Sequence, residues 1–375
     1  MRNRLPTSYT DSNMILKTLF RKSILHKLVD NHIYTEAYIW RDERKRFLSE
    51  AREKFAQGGC PGGSLPDYAK ALDRHRVTFS EYMYSYEYWR LDEAARDAFV
   101  SRSEMQCIYR KMVTAEVRAT LNDKVAFLKK FAKFARRRWL VARDASAEEL
   151  KALVTATDCI AKPIVGTCGQ GIFKICANEV DDWQQLYARC RDGNMLVEEC
   201  VRACPEIEAI HPQSLNTIRV VTMSNEHEVV PFGALLRMGC GGSVIDNTHA
   251  GGVFAPINIK TGIIEIDGID GKNHHYPTHP DTGKPIKGFK IPHWDKVLDA
   301  CSKACHVLPG MIFAGWDLCV TPDGSIEIIE GNHAPDFDGG MQAPLKTGVK
   351  AKMRDTVKHL TGTDPTKLIS IWSKW

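Results

Sequence analysis

Asp317, Glu330 and Asn332 stand within one apolar stretch, "GWDLCVTPDGSIEIIEGNHAPD" (315–336). A carboxylate in such surroundings is costly to desolvate unless a cation answers it. "TPDG" (321–324) has the composition of a turn, with Pro322 presetting φ and Gly324 closing the bend. If Pro322 and Asp323 form a two-residue loop, Asp317 lies opposite Ile328. Glu330 and Asn332 then follow at two-residue steps on the same face, with Cys319, Ile326 and Ile328. A loop of odd length flips the parity and scatters them. Oxygen donors without imidazole or thiolate suit Mg²⁺, which keeps waters and shares its shell with phosphates. The alternative is a set of acids that cap strand ends or bridge to arginine.

Three other stretches could serve a phosphorylated ligand. In "IAKPIVGTCGQGIFKI" (160–175), Lys162 ends a strand and Gly166, Gly169 and Gly171 shape the loop before the next. The loop lacks a terminal Lys-Ser/Thr and a following helix, which excludes the Walker-type and dinucleotide-binding loops. Its backbone N–H groups can still lie over phosphates, with Lys162 as a point charge; a surface hairpin is the other reading. In "NMLVEECVRACPEI" (194–207), Glu198, Glu199 and Val201 could form the wall and backbone edge of a nucleotide slot. Glu206, seven positions after Glu199, would take the ribose hydroxyls unless these are ordinary exposed acids. Arg219 and Arg237 sit in apolar strands, where a guanidinium answers either a buried acid or a phosphoryl group. The glycine-rich loop 241–252 carries Asp246, Asn247 and His249, the last a general base or a solvated side chain.

The elements that must position these groups change character along the chain. Residues 13–150 are mostly helical in pattern, with a breaker cluster "CPGGSLP" at 60–66 and helical stretches at about 67–99 and 102–137. The basic run closing the last of these, "FLKKFAKFARRRWLV", suits a solvated helix face or contact with a polyanionic or lipid-phosphate partner. From about 157, short β-branched runs alternate with turn residues: strands at 158–165, 171–177, 194–199, 216–223, 228–237, 253–259, 263–267, 313–320 and 325–331. Helices are expected near 179–191 and 293–307. Few helices among many strands indicate an α+β architecture.

Among 375 residues the formal net charge is only +5, which does not suit nucleic acid. No apolar run is long enough to span a bilayer, and no signal peptide is legible, so a cytoplasmic protein is expected. The twelve cysteines are expected as reduced thiols, the i, i+4 pairs Cys200/Cys204 and Cys301/Cys305 lacking zinc spacing.

Taken in order with "DKVAFLKKF", "SLNTIRVVTM" and "LLRMGCGGSVIDNTHAGG", these motifs resemble the ATP-grasp superfamily, most closely its sugar-transfer-associated branch, over roughly residues 120–350. The ordered set of motifs, together with the spacing of 13 and 15 positions from Asp317 to Glu330 and Asn332, carries that resemblance. It implies an ATP-grasp fold of two α+β subdomains gripping ATP. The divisions expected are a helical region at 1–119 and an ATP-grasp domain at 120–375, the latter with an ATP lid at 157–200 and a metal and substrate subdomain at 201–360. By the same resemblance Lys124 and Lys162 grip the nucleotide, Gly166–Gly171 forms the phosphate flap and Glu199 to Val201 the adenine hinge. Glu206 is then the ribose acid, Asp317, Glu330 and Asn332 bind Mg²⁺, and Arg219 and Arg237 lie near the γ-phosphate. The activity implied is an ADP-forming ligase joining a carboxylate to an amine, with a sugar acid, amino acid or surface-polysaccharide precursor as substrate. A kinase on the same fold and a non-catalytic nucleotide-binding partner of glycosyltransferases are the alternatives. Peripheral membrane contact stays open.

Overall fold

The computed structural model describes residues 32–58, 60–164, 171–243, 246, 251–337 and 341–369. Gly166 and Gly169 of the expected flap, with Asn247 and His249, lie outside the described residues.

The described residues begin with the helices His32–Gln57 and Leu65–His75, and the expected helix 67–99 does not continue. It stops where Arg76 turns left-handed at φ 55°. Tyr68, Leu72, Phe79, Tyr82, Tyr86, Tyr88 and Phe99 collapse there into a separate aromatic core, and Asp92 caps a new short helix, Glu93–Ala98. The expected helix 102–137 is divided as well. Ser101 and Glu104 form a capping box for Arg102–Met112, Thr114 caps Ala115–Asn122, and Asp123 caps Lys124–Lys130. Each cap satisfies N–H groups that a continuous helix would bond internally, so each marks a restart. Beyond Lys130 the chain leaves helical geometry and becomes strand β1, Trp139–Val141.

Four strands form the smaller sheet: β1, β2 (Cys159–Pro163), β3 (Phe173–Ile175) and β4 (Met195–Glu199), in the order β1–β4–β2–β3, antiparallel throughout. The helices Ala147–Ala156 and Trp183–Asp192 cover it through Leu150, Leu153, Val154 and Cys190.

The larger sheet joins β5 (Ile218–Ser224), β6 (Val229–Met238), β7 (Val253–Ile257), β8 (Gly268–Ile269), β9 (His275–Tyr276), β10 (Phe313–Val320) and β11 (Ile326–Asn332). Its order is β11–β10–β5–β6–β7–β8–β9, again antiparallel. The stretch 263–267, expected as a strand, makes only isolated bridges from Ile263 and Ile264, and the ladder resumes at Gly268. Helix Trp294–Cys305 lays Val297, Cys301 and Cys305 into the main core beneath this sheet. The described cysteines are free thiols. Among the described residues no helix is long and apolar enough to cross a membrane.

Candidate active site

The hairpin β10–β11 departs from the two-residue loop expected of it. Five residues, Thr321–Ser325, separate Val320 from its partner Ile326, and Gly324 turns left-handed at φ 72°. Asp323 organises the turn by accepting from Ser325 N at 3.1 Å and from Thr321 Oγ1 at 2.5 Å. With that odd loop Leu318 pairs with Ile328 and Cys319 with Glu327. Regular continuation would set Asp317 against Ile329 and turn Glu330 to the opposite face. A β-bulge intervenes: the register shifts between Asp317 and Leu318, so Asp317 faces Glu330 and Gly315 faces Asn332. One extra residue restores the parity that the turn reversed. Ile326 and Ile328 thus belong with Val320 and Leu318, not with the acids as expected, and Glu327 takes their place beside Cys319.

The same face continues across the sheet. Asp317 pairs with Arg219 on β5, and Arg219 pairs with Leu235, two residues before Arg237 on β6. Arg219 grips the carboxylate of Asp317 with both Nε and Nη2, the latter at 2.8 Å, and Arg237 Nη2 adds a bond to Oδ2 at 2.9 Å. Arg237 also donates to Thr217 Oγ1 at 2.7 Å, whose hydroxyl and backbone N–H both donate to Asp246 at 2.7 Å. Asp317 is 1% exposed. Burial on its own would raise its pKa, but the two guanidinium charges outweigh it and hold the carboxyl well below the usual range.

Glu330 behaves oppositely. It is half-buried, and burial followed by the charge of Asp317 raises its pKa, with Arg219 and Arg237 opposing only in part. Its nearest amide partner, Asn332 Nδ2, is 3.4 Å away. Gly315, on the same face, leaves room for Pro335, whose Cβ would lie 2.8 Å from a side chain there.

One lysine comes from the smaller sheet and the other from a helix. Lys162 on β2 makes an ion pair of 2.7 Å with Glu198 on β4, whose carboxylate is also held by Arg137 Nε. Lys124 opens the helix Lys124–Lys130 and donates to Ile164 O at 3.3 Å. Burial and then the neighbouring Lys162 lower its pKa, while Glu330 and Glu198 act against them. Lys124 therefore lies within electrostatic reach of both Lys162 and Glu330. The helix can come this close to β11 because Gly331 is bare: a Cβ there would meet Trp316 at 3.0 Å and Phe127 at 3.2 Å.

Glu199 is tied to Arg138, through its backbone N at 3.2 Å and Nε at 3.3 Å. Val201 is half-buried against the main core, and Glu206 is exposed on the short helix Pro205–Glu208. Gly171 takes φ 73°, a conformation costly for other residues, just before β3.

Asp317, Glu330 and Asn332 offer hard oxygen donors and no thiolate or imidazole, which fits Mg²⁺. Glu330 is the member of the set whose charge no arginine hydrogen-bonds among the described residues. Asp317 realises in part the alternative reading of an acid bridged to arginine. Among the described residues no group of three or more His, Cys, Asp and Glu is arranged to hold a metal, so a cation here would rest on two acids, an amide and ligands from elsewhere.

The sugar-transfer associated ATP-grasp family model matches residues 99–358. The chain belongs to that family. It has the ATP-grasp fold, preceded by helices. A comparison with curated proteins finds no match. Among solved structures, ATP-grasp ligase PsnB complexed with minimal precursor, Mg, and ADP is 16% identical with a TM-score of 0.42, over 67% of this chain and 62% of PsnB. N5-carboxyaminoimidazole synthase from Aspergillus clavatus, in complex with ADP and 5-aminoimidazole ribonucleotide, is 12% identical with a TM-score of 0.39, over 66% of this chain and 58% of that one. Biotin carboxylase from Campylobacter jejuni is 11% identical with a TM-score of 0.40, over 69% and 48%. The chain thus spans less than two thirds of each of these relatives, and the similarity is remote.

Several residues around this candidate site were not singled out from the sequence. Thr217 and Glu327 carried no signal beyond their neighbours. Arg137 was hidden in "ARRRWL" as one charge of a basic run; Arg136 and Arg138 are exposed, whereas the Arg137 side chain is 3% exposed.

Proposed function

We propose that the chain is an ATP- and Mg²⁺-dependent, ADP-forming ligase that joins a carboxylate to an amine. The observation that carries this reading is the shared face of Asp317, Glu330 and Asn332, flanked by Arg219 and Arg237 and approached by Lys124 and Lys162. Held by Asp317, Glu330 and Asn332, Mg²⁺ would supply Lewis-acid polarisation of the triphosphate.

The chain's own groups divide the remaining work. Lys162 and Lys124 bind phosphate oxygens as point charges, and the loop ending at Gly171 covers them with backbone N–H groups. The edge Glu198–Val201 receives the base and Glu206 the ribose hydroxyls. Arg219 engages Asp317 through two of its nitrogens, and the donors left over, with those of Arg237, stabilise charge on the transferring phosphoryl group. A substrate carboxylate oxygen attacks the γ-phosphorus, the bond to the β-phosphate oxygen breaks, and ADP leaves. An amine then adds to the acylphosphate carbonyl, phosphate departs, and the amine proton is lost to solvent. No protein nucleophile takes part. The family association favours a sugar acid, an amino acid or a surface-polysaccharide precursor as substrate.

The test is a screen of sugar acids and amino acids, singly and in pairs, for ADP and phosphate. A ligase frees phosphate only when both co-substrates are present. Retention of the phosphoryl group on a single hydroxyl product would replace this reading with a kinase.

A further inference from the structure

The bulge that turns Glu330 toward Asp317 has a specific partner. Arg137 Nη1 donates to Ile328 O at 2.9 Å, and Nη2 donates to Ile329 O at 2.7 Å. Successive carbonyls of a regular strand point to opposite sides, so one planar guanidinium meets both only where the strand is irregular. Nη1 also reaches Glu327 Oε1 at 3.0 Å. The backbone reinforces the contact: Arg136 N and Arg137 N donate to Glu327 at 3.1 and 3.2 Å, and Ile328 N donates to Phe134 O at 2.9 Å. The third nitrogen, Nε, holds Glu198, which pairs with Lys162.

We infer that Arg137 is a positioning residue for both halves of the site, clamping the bulge that presents Glu330 and fixing the carboxylate that aligns Lys162. The two functions follow from one planar fork. Its two terminal nitrogens read the irregular edge of β11 in the larger sheet, and its Nε reaches β4 of the smaller one. A lysine has three donors on a single atom and cannot span carbonyls and carboxylates set around a plane. Without the clamp, β11 can relax to the regular register, which carries Glu330 to the face away from Asp317. Glu198, left with one cation, would draw Lys162 away from phosphate.

This inference rests on the ATP and metal reading above, and the experiment separates the two. Mn²⁺ binding is titrated by the electron paramagnetic resonance of the free ion, and a non-hydrolysable ATP analogue is titrated separately, on wild type, Arg137→Lys, Lys162→Ala and Glu330→Gln. Folding is checked by circular dichroism. The expected result is a folded Arg137→Lys protein that loses about 10- to 100-fold in Mn²⁺ affinity, the scale of removing a group that orients a ligand. It should also bind the analogue more weakly. Lys162→Ala should weaken chiefly the analogue and Glu330→Gln chiefly Mn²⁺. A folded Arg137→Lys protein with wild-type affinity for both overturns the inference and leaves the functional reading standing. A wild type that binds neither ligand overturns the functional reading and this inference with it. If Arg137→Lys does not fold, Glu327→Gln, which loosens the same clamp and keeps the guanidinium, takes its place. An unchanged Mn²⁺ affinity there is likewise fatal.

Discussion

Two guanidinium–carboxylate clusters stand a short distance apart in this protein, and they differ in what their charges leave over. Around Arg137, the carboxylates of Glu198 and Glu327 are matched by Arg137 and Lys162, with the bulge carbonyls taking two further donors of Arg137. Around Arg219 and Arg237, the acids Asp317 and Asp246 are matched in the same way, but Glu330 faces Asp317 with no arginine hydrogen-bonded to it among the described residues. The first arrangement balances two acids with two cations, and such an arrangement holds structure in place. The second leaves one carboxylate raised in pKa by burial and by Asp317, which is the condition that a cation relieves.

The difference predicts opposite behaviour from two acids that face each other. Asp317→Asn should cost about 3–5 kcal/mol in urea unfolding, because it strips the largely buried Arg219 of its two-pronged carboxylate partner and leaves Arg237 with Asp246 alone. Glu330→Gln should leave the cation-free protein as stable as wild type or more so. It should reduce the part of the rise in melting temperature that Mg²⁺ adds to that of ATP, and lower turnover on the order of 100- to 1000-fold in an ADP-formation assay. Equal destabilisation by both substitutions would erase the distinction between the clusters. A smaller effect is expected at Gly331→Ala, where a Cβ would lie 3.0 Å from Trp316 and 3.2 Å from Phe127 of the helix that carries Lys124, so that these neighbours must give way. Overpacking of this kind costs about 1–3 kcal/mol in stability, and nucleotide affinity should fall with it.

The smallest effect should appear with pH, in the absence of metal. The folded-state pKa of Glu330 lies above its ordinary value of 4.5, so its contribution to stability is present below that value and is lost as pH rises through the raised one. Asp317 is depressed from its ordinary 3.8, so its contribution is present above that value and is lost only as pH falls through the depressed one. Wild type should therefore lose stability relative to Glu330→Gln as pH rises above 4.5. Thermal unfolding of the two proteins across that range checks the sign. Mg²⁺ should reverse the trend.

Much of this was legible in the chain. The short apolar runs in "SLNTIRVVTM" and "FAGWDLCV" mark β5 and β10 with little error, and the acids, arginines and Lys162 stand out as charges within apolar strands. The helical division of residues 102–141 was less clear, because Thr114 and Asp123 are weak capping signals until the chain restarts at them. The flanking arginines concealed Arg137, since charge alone does not tell a buried side chain from its exposed neighbours.

Local pattern determined which residues are strand and which are turn, and it placed three oxygen donors close together on one ribbon. That follows from period-two alternation and turn chemistry, both properties of a few consecutive residues. Whether Glu330 faces Asp317 was decided elsewhere. An odd turn reverses the parity and a bulge restores it, and the bulge is bonded by a guanidinium from a segment 191 and 192 positions away in sequence. No local rule encodes that pairing, because its free energy arises only once β11, Glu198 and Arg137 are buried together.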